Sequence, residues 1–409
     1  MRILLVTQYY WPETFIINDL TALLKLRGAE VTVLTGKPNY PEGRFFDGYD
    51  GSGVQYEVHD GVPIIRLPIV ARGKNSRIRL ALNYLSFMAS GFFVGPRTLR
   101  GHQYDIVFVY APSPLLQALP AISLARRRKV PITVWVQDLW PESLTFTGHV
   151  KWRWLVAAVR CFVRIIYRSC DSILIQSRAF SEPVSLLTDD PSKIVYFPNF
   201  YKNIPIERPS AAALELIDNL RSKFSVVFAG NLGSAQALDT VLEAAHSLRD
   251  RDDICFCLVG SGSRDEWLRD QCASLGLNNV FLAGRFEPGD MPAIFDASQA
   301  LLVSLKTDPA LQMTIPSKVQ AYLAAGRPII ASLDGEGANI VAEAGAGLCC
   351  RAGDSRGLAA SILELASTPE ADRLEMSRRG RAYFEEHFSP EKAADTLLEH
   401  FRQLTTAWG

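Results

Sequence analysis

Apolar stretches long enough to cross a bilayer are missing from this 409-residue chain, and so is any excess of one charge: Lys and Arg number 43, Asp and Glu 43. That balance argues against a nucleic-acid binder with a basic surface throughout. The seven Cys, at 161, 170, 255, 257, 272, 349 and 350, form no C-x-x-C pair. Zinc-ribbon and thioredoxin-like chemistry therefore lack their ligands, and buried, reduced thiols in a cytoplasmic protein are expected. There is no His-x-x-x-His pair and no Gly-x-Ser-x-Gly elbow, so metal chemistry and acyl transfer have no candidates. The D-x-D string Asp250-Arg-Asp252 falls between a helical and a strand pattern, where a surface turn is expected. The N-terminal apolar run, residues 3–6, is too short for a secretory leader.

What remains is the composition of an ordinary globular protein, 48% apolar and 21% charged. Its length favours two or three domains, since single cores stop growing near roughly 250–300 residues. Zero net charge conceals an asymmetry. Residues 1–200 carry 23 basic against 15 acidic side chains, and the remainder 20 against 28. A basic half joined to an acidic half suggests one surface that meets phosphates or lipid headgroups.

Short apolar runs alternate with helix-period segments throughout, the pattern of α/β layers with parallel sheets. Strands are predicted at 2–7, 30–35, 63–67, 104–110, 132–137, 172–175 and 193–196, with helices such as 14–27 and 113–128 between them. The pattern restarts with strands at 224–229, 254–259, 280–282, 300–304, 328–331 and 347–350, separated by helices such as 237–249. Two doubly wound halves follow, joined by the proline-rich stretch 198–210. We place the N-terminal domain at 1–203 and the C-terminal domain at 204–387, with a last helix, about 388–409, packing back on the first. In such sheets ligands bind outside the carboxyl ends of the strands, so the loops there, and a cleft between the halves, are where chemistry is expected.

Three stretches of the second half stand out. The strand ending at Ala229 runs into Gly230-Asn231-Leu232-Gly233 and on to Gln236, a glycine turn opening a helix. Such a turn offers free N–H groups to an anion, although an ordinary strand–turn–helix connection reads the same. Gly260-Ser-Gly262 begins like a dinucleotide fingerprint but lacks the third glycine. From Lys306 through Gln312 to Pro316-Ser317-Lys318, a helix start is predicted, with Ser317 as its cap and Pro316 fixing its entry. Lys318 then falls in the first turn, where the dipole disfavours a cation unless an anionic ligand neutralises it.

In the first half, Tyr10, Trp11 and Glu13 follow the first strand, and Lys37, Asn39 and Tyr40 the second. Aromatic and amide groups at such edges suit sugar stacking and hydroxyl hydrogen bonds, or else pack their own loops. Asp138, followed by Trp140 and Glu142, is the best-placed carboxylate to take or orient a hydroxyl proton, if it is not a helix cap. Two segments explain the basic half. Residues 72–100 hold six Lys or Arg and no acid, around a seventeen-residue uncharged run that is short of a spanning helix. Residues 151–168 hold five basic side chains. On a helical wheel Arg153, Arg160, Arg164 and Arg168 share one arc, while Trp152, Trp154, Phe162 and Ile165 lie among the apolar rest. That helix suits a membrane interface, or burial of its apolar face with the Arg row in water.

The succession of the 230–233 turn, Val-Gly-x-Gly at 259–262, Gly284-Arg285-Phe286 and Tyr-Leu-Ala-Ala-Gly-Arg-Pro at 322–328 resembles the family-four retaining glycosyltransferases. Tyr-Tyr-Trp-Pro-Glu at 9–13, Pro-Asn-Tyr-Pro at 38–41 and Asp-Leu-Trp-Pro-Glu at 138–142 resemble their N-acetyl-L-fucosamine transferase branch, which extends lipid-linked surface-polysaccharide precursors. The resemblance implies a GT-B fold of two Rossmann-like halves facing a cleft. It also implies no metal, no cofactor, and a nucleotide sugar, UDP-linked, as donor. Gly230 to Gly233, Gln236, Gly262, Lys306, Gln312, Ser317 and Lys318 would lie around the donor, with Arg285 and Phe286 near its base. The acceptor would be a polyprenyl-diphosphate-linked saccharide on the cytoplasmic face of the inner membrane, met by Tyr10, Trp11, Glu13, Lys37, Asn39, Tyr40, Trp140 and Glu142. Asp138 and Lys318 would be catalytic, and Arg153, Trp154, Arg160 and Arg164 would touch the membrane. The chain departs from the family at Asn231 and Gln236, where Arg and Lys are usual, and at Met313 and Ala321, where a Glu pair is usual. A nucleotide-sugar-binding pseudoenzyme and a non-hydrolysing epimerase are the rival readings.

Overall fold

The computed structural model describes residues 1–74, 76–142, 153–205 and 207–408. The chain divides into two compact units, residues 1–199 with 390–409, and residues 200–389.

In the first unit, eight strands form one sheet: β1 (Arg2–Val6), β2 (Glu30–Gly36), β3 (Gln55–His59), β4 (Val62–Leu67), β5 (Ile106–Ala111), β6 (Ile132–Val136), β7 (Ser172–Ile175) and β8 (Ile194–Tyr196). Their order is β3-β4-β2-β1-β5-β6-β7-β8. β5, Ile-Val-Phe-Val-Tyr-Ala, is buried at every position, as a parallel strand covered on both faces must be. All pairings are parallel except β3 with β4. The sequence reading missed β3. It is an exposed edge strand, with Tyr56 and Val58 facing water, so no apolar run marks it. Its signal was the turn: Asp60 and Gly61 both have positive φ and join His59 to Val62, as a two-residue hairpin turn requires.

The helix Pro390–Trp408 belongs to this first unit. It buries Ala393, Ala394, Leu397, Leu398 and Phe401 along one stripe, the spacing of a single helix face. Phe401 meets Phe108 of β5 edge-on, with ring centroids 5.3 Å apart. Arg27 pairs with Asp395, His400 Nε2 lies 2.8 Å from Ser172 Oγ, and Trp408 Nε1 donates to Asp171 Oδ1 at 3.1 Å.

The second unit holds β9 (Phe224–Ala229), β10 (Ile254–Val259), β11 (Val280–Gly284), β12 (Ala300–Ser304), β13 (Ile329–Ser332) and β14 (Gly347–Cys350). They are parallel throughout, in the order β11-β10-β9-β12-β13-β14. Counted along this unit alone, that is the 3-2-1-4-5-6 order of a dinucleotide-binding sheet. Helices cover both faces: Val227, Val303 and Leu323 pack in one apolar cluster, and Phe228, Phe256 and Leu302 in the other. The order reverses between β9 and β12, so the carboxyl ends of these two strands frame the switch point where such sheets take ligands. Every strand predicted from the sequence is present, with ends moved by two residues at most.

Candidate active site

At the carboxyl end of β9 the backbone turns at Gly230 with φ +135°, and Gly260 repeats the angle after β10. A Cβ on Gly260 would stand 1.9 Å from the Gly230 carbonyl oxygen, and one on Gly262 would stand 2.4 Å from that of Leu232. Only glycine permits this approach. The two turns are laced together: Gly230 N–H donates to Val259 O at 2.9 Å, and Leu232 N–H to Ser261 O at 3.0 Å. The N–H groups of Asn231 and Gly233 have no partner among the described residues.

The helix Ser317–Ala325 begins beside them. Pro316 is its N-cap and no side chain closes the end, which corrects the expectation that Ser317 caps it. Ser317 instead occupies the first helical position, exposed. Lys318 runs back over the glycine turn. Its Nζ lies 3.5 Å from the centre of the Phe228 ring and donates to Gln236 Oε1 at 2.6 Å. A Cβ on Gly230 would meet Lys318 Cε at 2.8 Å. Burial, uncompensated by any anion, brings the Lys318 pKa down to about 7.

Gly230, Asn231, Gly262, Arg285, Phe286, Ser317 and Lys318 line one cavity of about 650 Å³, with Tyr201, Met291, Phe295 and Tyr322. Gln236 reaches this group through its bond to Lys318. Leu232 is packed in the core, and Gly233 precedes the short turn Ser234–Gln236. Lys306 and Gln312 lie outside the lining. Lys306 points to solvent while its N–H donates to Ala235 O at 2.9 Å. Gln312 ends the turn Pro309–Gln312 with its backbone against Gly335. Ala321 lines the cavity where the family's second Glu would fall, and Met313 does not.

The sequence reading noted Tyr322 only as the start of the 322–328 motif and gave it no role. Its hydroxyl accepts from Ala229 N–H at 2.9 Å and ties the Lys318 helix to the end of β9. The sequence reading missed Glu336, a buried carboxylate opening the helix after β13, whose Oε1 has no hydrogen-bond partner among the described residues; the same holds for the hydroxyl of Ser304. Asp250 lies in an exposed turn and pairs with Arg249 at 3.8 Å.

In the first unit most residues expected to meet an acceptor are used internally. Glu13 is 2% exposed. Its carboxylate accepts from the backbone N–H groups of Tyr10, Asn39 and Tyr40 at 3.2, 2.8 and 2.7 Å, stapling the loops after β1 and β2 together. Burial outweighs those three bonds and pushes its pKa up to about 7. Asn39 is fully buried, donating to Lys37 O and accepting from Arg72 N–H. Lys37 donates to Gln55 at 2.8 Å, and Tyr10 lies in the core. Tyr10, Glu13, Lys37 and Asn39 therefore order the loops instead of presenting groups to a solute: irregular backbone with buried polar atoms has to be satisfied from within. Trp11 stacks on His59 with centroids 4.0 Å apart. Tyr40 stays half-exposed beneath the Arg72 guanidinium, 5.1 Å from its ring centre.

Asp138, after β6, reaches solvent, yet the protein around it removes enough water to raise its carboxyl pKa, against a hydrogen bond from Ser113. Tyr84 feels Asp138, Arg72 and Tyr40 electrostatically and bonds to Tyr9. Arg72, Tyr84 and Ser113 were not singled out from the sequence; they come from three separate loops and helices, and only the fold brings Ser113 to Asp138 and sets Tyr84 under the influence of both Asp138 and Arg72. The stretch that Asp138 could cap runs into residues 143–150, outside the described residues.

The helix Arg153–Ser169 carries an exposed Arg160 and Arg164 and a largely exposed Trp154. Arg160 approaches Glu142 at 3.9 Å. Residues 151 and 152 and the Arg153 side chain lie outside the described residues. Trp140 turns inward instead, lining an apolar groove with its indole Nε1 buried. No helix of the described residues is long and apolar enough to cross a membrane.

Two doubly wound units with these strand orders define the GT-B class, and solved structures agree over nearly the whole chain. Trehalose 6-phosphate synthase from Burkholderia multivorans superposes with a TM-score of 0.72 at 13% identity, covering 100% of both chains. Sucrose-phosphate synthase from Thermosynechococcus elongatus gives 0.70 at 16%, covering 99% of each. HepE from Anabaena, solved in complex with UDP, gives 0.67 at 14%, covering 98% of this chain and 100% of that one. Residues 15–199 match the "Glycosyl transferase 4-like domain" and residues 223–368 the "Glycosyl transferases group 1" domain. The chain belongs to this family of glycosyltransferases. A relative from Escherichia coli (strain K12), described as a colanic acid biosynthesis glycosyl transferase, WcaI, is 26% identical over 339 residues, 80% of this chain and 82% of its own length.

Proposed function

We propose that this glycosyltransferase moves an amino- or deoxysugar, with N-acetyl-L-fucosamine the first candidate, from a UDP-linked donor to a polyprenyl-diphosphate-linked saccharide. It does so with retention, without metal or cofactor, at the cytoplasmic face of the inner membrane, in the assembly of an O-antigen, capsule or similar surface polysaccharide. The observation that carries the reading is the cavity where two glycine turns, the N-terminus of the Lys318 helix and the Lys318 ammonium converge. Supporting it, HepE binds UDP by its description, and the WcaI relative is described as a glycosyl transferase of colanic acid biosynthesis.

The hard step is loss of the nucleoside diphosphate. As the bond from the sugar's anomeric carbon breaks, charge grows on the departing phosphate oxygen. Fixed N–H donors and a desolvated ammonium stabilise that charge more than they stabilise the intact donor. The N–H groups of Asn231, Gly233 and Ser317 and the Lys318 Nζ are those donors, and Arg285 and Phe286 flank the base. With retention, the acceptor hydroxyl attacks the face that the phosphate leaves, and the leaving oxygen takes its proton. No protein nucleophile is needed. Asp138 orients that hydroxyl in the N-terminal unit, and Arg160, Arg164 and Trp154 rest that unit on an anionic membrane.

The test is incubation with UDP-, GDP- and TDP-sugars and a lipid-linked acceptor. Transfer from a UDP-sugar is expected. Binding of a nucleotide sugar with transfer from none would instead mark the chain as a pseudoenzyme. Membrane contact is checked by vesicle co-sedimentation, which the double change Arg160→Glu, Arg164→Glu should abolish; retained sedimentation would remove that part of the reading.

A further inference from the structure

Three helical segments of the N-terminal unit enclose a groove of about 430 Å³ whose walls are almost wholly carbon: Tyr84 and Met88 from Arg77–Phe93, Leu119 from Ala118–Arg128, and Val159 and Phe162 from Arg153–Ser169, with Trp140. Its size is that of a small-molecule site. Two exposed apolar stripes flank it. On Arg77–Phe93, Ile78, Leu82, Leu85 and Phe93 are 75, 46, 47 and 70% exposed, spaced to share one face. On Arg153–Ser169, Phe162 and Ile165 are about half exposed. Beside the second stripe runs the row Arg160, Arg164 and Arg168, all exposed, and Arg77 and Arg79 open the first helix. Contiguous exposed apolar surface of this kind marks a binding face. The apolar walls call for a hydrocarbon chain, and the exposed arginines elsewhere on the same two helices call for an anion on the end of that chain.

We infer that this groove holds the prenyl tail of the lipid diphosphate acceptor, with the diphosphate among the exposed arginines of the helices that wall it. The inference rests on the lipid-linked acceptor proposed above and adds where its tail goes. The enzyme then holds one chain of the acceptor itself and does not merely lie on the bilayer.

The experiment is a calorimetric titration of the full chain with farnesyl diphosphate and, separately, inorganic diphosphate. Farnesyl diphosphate should bind at least tenfold more tightly. Ala81→Trp fills the groove from an exposed position, and Leu85→Glu sets a carboxylate at its mouth; each should erase the difference while the melting temperature stays that of the wild type. Equal affinity for the two probes, or farnesyl diphosphate bound as tightly by both folded variants as by the wild type, overturns the inference. So does complete displacement of farnesyl diphosphate by phospholipid vesicles free of prenyl lipid, because the groove would then belong to bilayer acyl chains. The proposed function is read separately, by sugar transfer. Tail binding without transfer would leave the groove assignment and remove the function, and transfer that Ala81→Trp does not affect, with no tail binding, would do the reverse.

Discussion

Lys318 and Gln236, 82 residues apart in sequence, meet at 2.6 Å with the ammonium donating to the amide oxygen. That contact joins the helix N-terminus to the turn after β9, and it leaves the lysine without a charge partner among the described residues, where an anion in the cavity would supply one. The family's usual cation after the glycine turn is replaced here by an amide that holds the remaining cation in position.

Lys318→Ala should weaken UDP binding by about 10- to 100-fold, the loss of one charge-assisted hydrogen bond of roughly 1.5–3 kcal/mol. Calorimetry with UDP reads it directly. An unchanged dissociation constant would detach Lys318 from the donor.

The Lys318 pKa near 7 gives the binding a pH signature. In the free protein the amine is largely neutral at pH 8, and a diphosphate beside it favours the charged form. UDP binding at pH 8 should therefore take up close to one proton and weaken about tenfold per pH unit above 8. Titrations in buffers of different ionisation enthalpy count the proton, and zero uptake would contradict the assignment. The sign for stability is the opposite of an ion pair's. The folded state binds fewer protons than the unfolded chain between pH 7 and the ordinary lysine pKa, so this group adds stability as pH rises through that window.

Glu13 works in the other direction. Its folded pKa, about 7, stands above the unfolded value. The stability it contributes is full below the unfolded pKa and is lost as pH rises toward and through 7. The advantage of wild type over Glu13→Gln in melting temperature should accordingly be larger at pH 5 than at pH 8. A difference independent of pH would mean that the carboxyl does not titrate in this range.

Gly260→Ala should cost at least about 2 kcal/mol, because the residue has a positive φ and its new methyl would strike the Gly230 carbonyl. Chemical denaturation measures the loss. Ala tolerated within about 0.5 kcal/mol would mean that the two turns do not approach as described.

How much of this was legible beforehand depended on burial. Strands such as β9 and β10 are apolar at nearly every position because both faces are covered, and a continuous run of that kind is visible without a structure. β3 alternates and faces water, and was passed over. The cavity residues Gly230, Gly262 and Lys318 were legible because each breaks a local rule: a strand ending on glycine, a cation at a helix start. Glu13 and Asn39 look the same in sequence whether they face a ligand or their own backbone. Only the three N–H groups converging on the Glu13 carboxylate decide it. The Lys318–Gln236 contact and the Arg72–Tyr84–Asp138 cluster bring distant segments together, and no local pattern encodes them.

The helix Pro390–Trp408 supplies Phe401 to the centre of the N-terminal unit, yet the ribosome makes it only after all of residues 200–389. Residues 200–389 are contiguous and can complete their core as they emerge. The earlier-made unit must wait, with Phe108 uncovered, until the later one has left the exit tunnel. Assembly order is thus the reverse of synthesis order, and a chain stalled before residue 390 would carry a finished second unit beside an open, aggregation-prone first unit.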